Sequence, residues 1–206
     1  MAYGDFTLEE IEQKFGIKNR TRRLFEPMLP IEPSEKLKEA LQTAAELPVR
    51  SEKAKSETIV FPLLIELRNR NNKFFTIYSG ENLNADEEKG LRGECDFILS
   101  RDIGSFSISY PIIQVVEAKK NDLDIGVPQC AAQLIGARIF NQKKGVALEK
   151  LFGCVTTGNE WLFMKLEQDL LIDTRVYYLN EIDELVAVFQ SIIDYYKETI
   201  VLGDPV

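Results

Sequence analysis

The chain has 206 residues, 45% of them hydrophobic and 28% charged, the composition of one globular domain long enough to bury a sizeable core. It contains no histidine, which excludes Ser-His-Asp and Cys-His nucleophile systems, histidine general bases and His-ligated zinc. The net charge of −8 is unevenly placed, with 13 Lys and Arg against 12 Asp and Glu over residues 1–80 and 12 against 21 over residues 81–206, so bulk electrostatics do not favour a polyanion.

In chain order, Thr7 to Phe15 reads as a short helix, with Thr7 as N-cap and Glu10 completing a capping box. An irregular stretch through Pro27 and Pro30 follows. Ser34 starts a second helix that runs to about Leu47 and stops before Pro48. A third helical segment covers roughly 51–69. Phe74 to Ser79 reads as a strand, residues 81–90 as an acidic loop and Leu91 to Ser100 as a strand. A turn containing Gly104 leads into a long strand region from Phe106 to Lys119. Pro128 suits the first turn of a helix ending near Asn141. Phe152–Thr157 and Trp161–Leu166 are strands joined by Gly158-Asn159, a strong hairpin signal. Leu170 to Leu179 is a further strand. A closing helix from Ile182 to about Ile200 carries Leu185, Val188, Phe189, Ile192, Ile193 and Tyr196 at helical spacing. This order predicts an α/β fold with a mixed sheet flanked by helices.

Cys95, Cys130 and Cys154 are far apart, with no CxxC pair, so a reduced, cytoplasmic setting is expected rather than a disulfide framework or structural zinc. The N-terminus has no basic and apolar leader pattern, and no apolar run approaches membrane-span length. The basic clusters Lys18-Arg20-Arg22-Arg23, Arg50-Lys53-Lys55 and Arg68-Arg70-Lys73 read first as solvated surface.

The chemistry-bearing feature is the run Pro111-Ile-Ile-Gln-Val-Val-Glu-Ala-Lys119. On a strand, residues i and i+2 share a face, so Glu117 and Lys119 would project together from the end of a buried apolar run. An ionised pair there is costly unless paired or bound to a cation. If the strands around 91–100 and 106–119 form a hairpin centred near residue 106, Asp96 lies beside Glu117. A one-residue slip would turn Asp96 away, and spacing alone is equally met by two unrelated acids. Plotted as a helix, residues 57–68 place Glu57 amid Val60, Phe61, Leu64, Ile65 and Leu67, with Glu66 opposite. A carboxylate on that face needs a partner inside, though Pro62 shifts the phase and first-turn dipole stabilisation is the simpler role. Gln129 and Gln133 lie one helical turn apart and read first as solvated surface, with hydrogen bonding to a catalytic carboxylate or a phosphate as the alternative. Carboxylates without histidine favour a hard cation, Mg²⁺ or Mn²⁺.

At these residues the sequence resembles the PD-(D/E)XK, or restriction-endonuclease-like, nucleases. Glu117-Ala118-Lys119 matches the (D/E)-X-K element, and Gly93-Glu94-Cys95-Asp96-Phe97 the preceding Asp strand, with Cys95 in the usual proline position. Lys55 to Leu64 is similar to the acid-bearing helix of type I restriction subunit N-terminal nuclease domains. Gln133, or Gln129, falls where several branches place a helical glutamine. The resemblance covers about 51–166. It implies a nuclease domain over 51–206 and an N-terminal helical extension over 1–50. It also implies Asp96, Glu117, Glu57 and the Ala118 carbonyl as metal ligands, and Lys119 as the group that positions water. The expected function is Mg²⁺-dependent hydrolysis of DNA. A homodimer would suit double-strand cleavage, and a protein partner is compatible with the same pattern. The alternatives are a non-catalytic interaction or nucleic-acid-binding module on the same fold, and a carboxylate-pair hydrolase of another substrate.

Overall fold

The computed structural model describes residues 1–201. The elements are α1 (Leu8–Phe15), β1 (Asn19–Arg22), α2 (Glu35–Glu46), α3 (Glu52–Lys55), α4 (Phe61–Arg70), β2 (Phe75–Asn82), β3 (Glu94–Arg101), β4 (Ile112–Ala118), α5 (Leu123–Lys143), β5 (Leu151–Thr156), β6 (Glu160–Leu166), β7 (Leu170–Tyr178) and α6 (Ile182–Val201). A single 3₁₀ turn, Tyr3–Asp5, precedes α1. The seven strands form one mixed sheet in the order β1-β7-β6-β5-β4-β3-β2. The pairs β1/β7 and β4/β5 are parallel and the others antiparallel. The fold is therefore α/β with helices on both faces of a mixed sheet, as the element order predicts.

Because both faces are covered, the central strands carry apolar residues toward each side. Phe97, Val116, Cys154, Trp161 and Phe163 face a core shared with α2, α4 and α6. Ile98, Val115, Val155, Leu162 and Met164 face a second core shared with α5. The 130–137 stretch of α5 is buried on every side. Its outer side is covered by Tyr3, Phe6 and Ile11, which belong to the same core. Tyr3 is fully buried, and its hydroxyl donates to the Leu83 carbonyl at 2.7 Å. The contact requires Gly136, where a Cβ would lie 2.2 Å from the Tyr3 Oη. Residues 1–50 are thus built into the sheet through β1 and into both cores through Tyr3, Ile11, Phe25 and Leu37. The stretch expected as a helical extension carries α1 and α2 and also contributes β1 to the edge of the sheet.

Several boundaries differ from expectation for identifiable reasons. β1 replaces part of the stretch expected to be irregular: all four of its residues are exposed, so no alternating apolar signal exists for it. The long strand region narrows to Ile112–Ala118, because residues 102–111 form the connecting loop. Helix α5 begins five residues before Pro128, with Asp122 as N-cap accepting from the Asp124 amide, so the proline lies inside the helix. No helix of the described residues is long and apolar enough to cross a membrane.

Candidate active site

The site forms at the start of β3 and the end of β4. The antiparallel register pairs Phe97 with Val116, Ile98 with Val115 and Leu99 with Gln114. Its next step places Asp96 opposite Glu117, the alignment expected from a hairpin centred near residue 106. A register shift lies between Leu99 and Ser100, on the far side of these pairs, so it leaves the alignment at the site unchanged. The Asp96 carboxylate bends toward β4 and accepts from the Ala118 amide at 2.7 Å. Backbone N–H and C=O of one strand residue point to the same side, so the Ala118 carbonyl faces β3 as well.

Glu117 projects to the α5 side of the sheet and is 2% exposed. Its two oxygens are held separately: Lys119 Nζ donates to Oε1 at 2.7 Å, and Gln133 Nε2 donates to Oε2 at 2.7 Å. Lys119 Nζ also donates to Gln129 Oε1 at 2.9 Å. The i, i+4 spacing of Gln129 and Gln133 therefore sets both glutamines against the Glu117–Lys119 pair, rather than in solvent as the bare sequence favoured. The first turns of α5 close on the lysine itself. A Cβ at Gly126 would lie 2.4 Å from Val155 Cγ1 and 3.0 Å from Lys119 Cγ, so only glycine leaves room for the lysine stem there.

The electrostatics follow from this packing. Burial raises the Glu117 carboxyl to about 7, and the neighbouring Asp96 charge adds to the rise; Lys119 and the Gln133 hydrogen bond oppose it. Asp96 is also raised, first by burial, with the Ala118 amide and Lys119 pulling the other way. The two carboxyls interact directly, so they titrate as a pair.

Glu57 does not join this cluster. It is 62% exposed, with its carboxylate 3.8 Å from Lys53 Nζ. The cause is a π-turn over Ser56–Val60, between α3 and α4. The wider turn adds a residue and shifts the phase of the following helix by about 100°. Ile59, Val60, Leu63, Leu64 and Leu67 consequently form the buried face, while Phe61 is exposed. Glu66, expected on the solvent side, is the partnered acid of α4: it accepts from Ser34 N at 3.1 Å, Ser34 Oγ at 2.6 Å and Arg70 at 3.0 Å. The acid that this helical region brings to the site is Glu52. Its Oε1 accepts from the Lys120 amide at 2.9 Å, and its charge contributes to the rise at Asp96. The sequence signal for Glu52 is its place directly after the N-cap Ser51, but nothing in the spacing announces the π-turn that favours it over Glu57.

Asp96 and Glu117 are the two carboxylates here that could hold a hard cation. Mg²⁺ is commonly bound through one or two carboxylates, its remaining positions going to water and substrate phosphate. The observation that bears on the fit is Gln133, which leaves its buried Oε1 without a hydrogen-bond partner beside Glu117, whose own two oxygens accept from Lys119 and Gln133. Among the described residues there is no group of three or more His, Cys, Asp or Glu side chains arranged to hold a metal, so any such cation rests on this pair and on backbone or water oxygens. The site lies where parallel β4 and β5 end, with Lys119 N donating to the Thr156 carbonyl at 2.7 Å. The carboxyl end of parallel strands is the usual ligand side of open α/β sheets. No protein-family model matches the chain, and a search of curated proteins returns no match.

Proposed function

We propose that the chain is a metal-dependent nuclease of restriction-endonuclease-like fold, hydrolysing DNA phosphodiester bonds with Mg²⁺, and with Mn²⁺ as a substitute. The observation that carries this reading is the convergence of Asp96, Glu117 and Lys119 through the β3–β4 register, two carboxylates and an amine at one strand edge. Asp96, Glu117 and the Ala118 carbonyl would hold the cation. When bound there, it supplies a Lewis acid that polarises the phosphate and makes bound water more acidic.

The chain's own residues supply the rest. Lys119 presents a positive charge beside the carboxylates, placed to orient the attacking water and to stabilise charge that develops on the phosphoryl oxygens. Gln129 holds the lysine amine in place, and Gln133 fixes the orientation of Glu117. Holding these groups in position before substrate arrives lowers the cost of organising them during reaction. Glu52 adds negative charge at the rim through its bond to the Lys120 amide. A second reading, a non-catalytic module on the same fold, is favoured by the lack of a third ligating side chain among the described residues and by the acidic second half of the chain.

The test is cleavage of plasmid and single-stranded DNA with Mg²⁺, with Mn²⁺ and with chelator, beside Lys119→Ala. The parent should cleave only with metal, and the variant should be slower by ~10²–10³, the loss typical of removing one transition-state charge contact. Equal cleavage by the variant would refute the site. Neither cleavage nor Mg²⁺ binding by the parent would select the non-catalytic module.

A further inference from the structure

Beside Lys119, an open depression of about 360 Å³ continues along the same end of the sheet. Lys55, Lys120, Asn121, Asn159, Glu160 and Tyr178 line it. Lys120 and Asn121 directly follow the candidate catalytic lysine, Asn159 and Glu160 belong to the β5–β6 turn and the start of β6, and Tyr178 ends β7. The depression therefore runs from β4 to β7, three strand spacings or about 14 Å. Tyr178 is 44% exposed and pairs in register with Glu160. Lys120 is exposed, and the Lys55 ammonium donates to the Lys120 carbonyl, which holds the Lys55 side chain at the Lys120 backbone.

Resting on the nuclease reading above, we propose that this depression is a track for single-stranded DNA, which names the substrate class as DNA with an unpaired segment next to the scissile phosphate. Lys55 and Lys120 contact backbone phosphates, and the Tyr178 ring stacks on one base. The distribution of groups carries the assignment. The lysines lie on the side nearest Lys119, where the backbone must pass to present a phosphate to the site. The aromatic face lies at the far end, beyond the β5–β6 turn, where the Asn159 amide is available to hydrogen-bond a base edge. Glu160 stands opposite Tyr178 and would repel a phosphate there, so a base rather than backbone belongs at that end. Within a duplex both faces of a base are stacked on its neighbours, so a tyrosine platform selects an unpaired base.

The test measures binding in chelator, where cleavage cannot occur, by fluorescence anisotropy of a short labelled oligothymidylate and of a hairpin duplex of equal length. The parent should prefer the single strand. Tyr178→Ala should weaken single-strand binding by about 5- to 150-fold, the range for losing one base–aromatic stack, while Tyr178→Phe binds like the parent. Lys120→Ala should weaken binding and lower the slope of log K against log salt by about 0.7. Equal binding of the two probes, or undiminished binding by Tyr178→Ala, overturns the track. The two readings fail separately: Tyr178-dependent binding without Mg²⁺-dependent cleavage removes the nuclease and keeps the track, and cleavage with Tyr178-independent binding does the reverse.

Discussion

Replacing Glu117 with glutamine should stabilise this protein at pH 8 and leave its stability nearly unchanged at pH 4.5. Glu117 is almost completely buried, and its carboxyl is raised from 4.5 to about 7. The folded state therefore binds the Glu117 proton more tightly than the unfolded chain does. Below about pH 4.5 both states are protonated and nothing is lost. As pH rises from 4.5 to about 7 the unfolded chain releases its proton first, and folding stability falls across that window. Above pH 7 the loss is complete, about 3 kcal/mol at 1.36 kcal/mol for each pH unit between the two values. Glutamine imitates the protonated acid in shape and charge. Its amide can also donate to Gln133 Oε1, which has no hydrogen-bond partner in the parent, once the Gln133 amide turns over. Glu117→Gln should thus recover most of the loss, raising Tm by about 6–12 °C at pH 8 for a chain of this length. The assay is thermal unfolding followed by circular dichroism from pH 4.5 to 8.5, in chelator. A difference in Tm that stays constant across this range, or a variant less stable at pH 8, would refute the account of a desolvated carboxyl repelled by Asp96.

Two further outcomes separate the site from its surroundings. Glu57→Gln should change stability by less than about 0.5 kcal/mol and leave metal-dependent cleavage intact, because its carboxylate is exposed and lies 3.8 Å from Lys53; Glu52→Ala should slow cleavage, and equal rates for the two variants in the plasmid assay would contradict the placement of the π-turn. Gly126→Ala should cost about 1–3 kcal/mol in chemical denaturation, since the added methyl meets Val155 and the Lys119 stem, and should also slow cleavage by displacing the lysine. An unchanged denaturation midpoint would show that α5 does not close on Lys119 as described.

What the sequence determined by itself is the part governed by short-range rules. The apolar run into Glu117-Ala118-Lys119 places the two charged groups on one face of a strand end, and the spacing of Asp96 and Glu117 about the connecting loop admits the register that aligns them, though it does not exclude a one-residue slip. Strand alternation is local geometry and survives folding, and the hairpin register holds at the site because its shift, between Leu99 and Ser100, lies on the loop side of these pairs. The acid from the helical region is different. A π-turn costs hydrogen-bond geometry and is accepted only because Leu63, Leu64 and Leu67 then reach the core shared with α6, and this tertiary gain rotates Glu57 out and leaves Glu52 at the site. Gln129 and Gln133 looked like a polar stripe because the sequence cannot show that the outer side of α5 is covered by Tyr3, Phe6 and Ile11. Gln133 is fully buried there and needs a partner, which Glu117 provides, while the half-buried Gln129 accepts from Lys119. Pairing likewise decided β1: Asn19–Arg22 has no apolar pattern of its own, and it is a strand because it pairs with β7 at the edge of the sheet that holds the site.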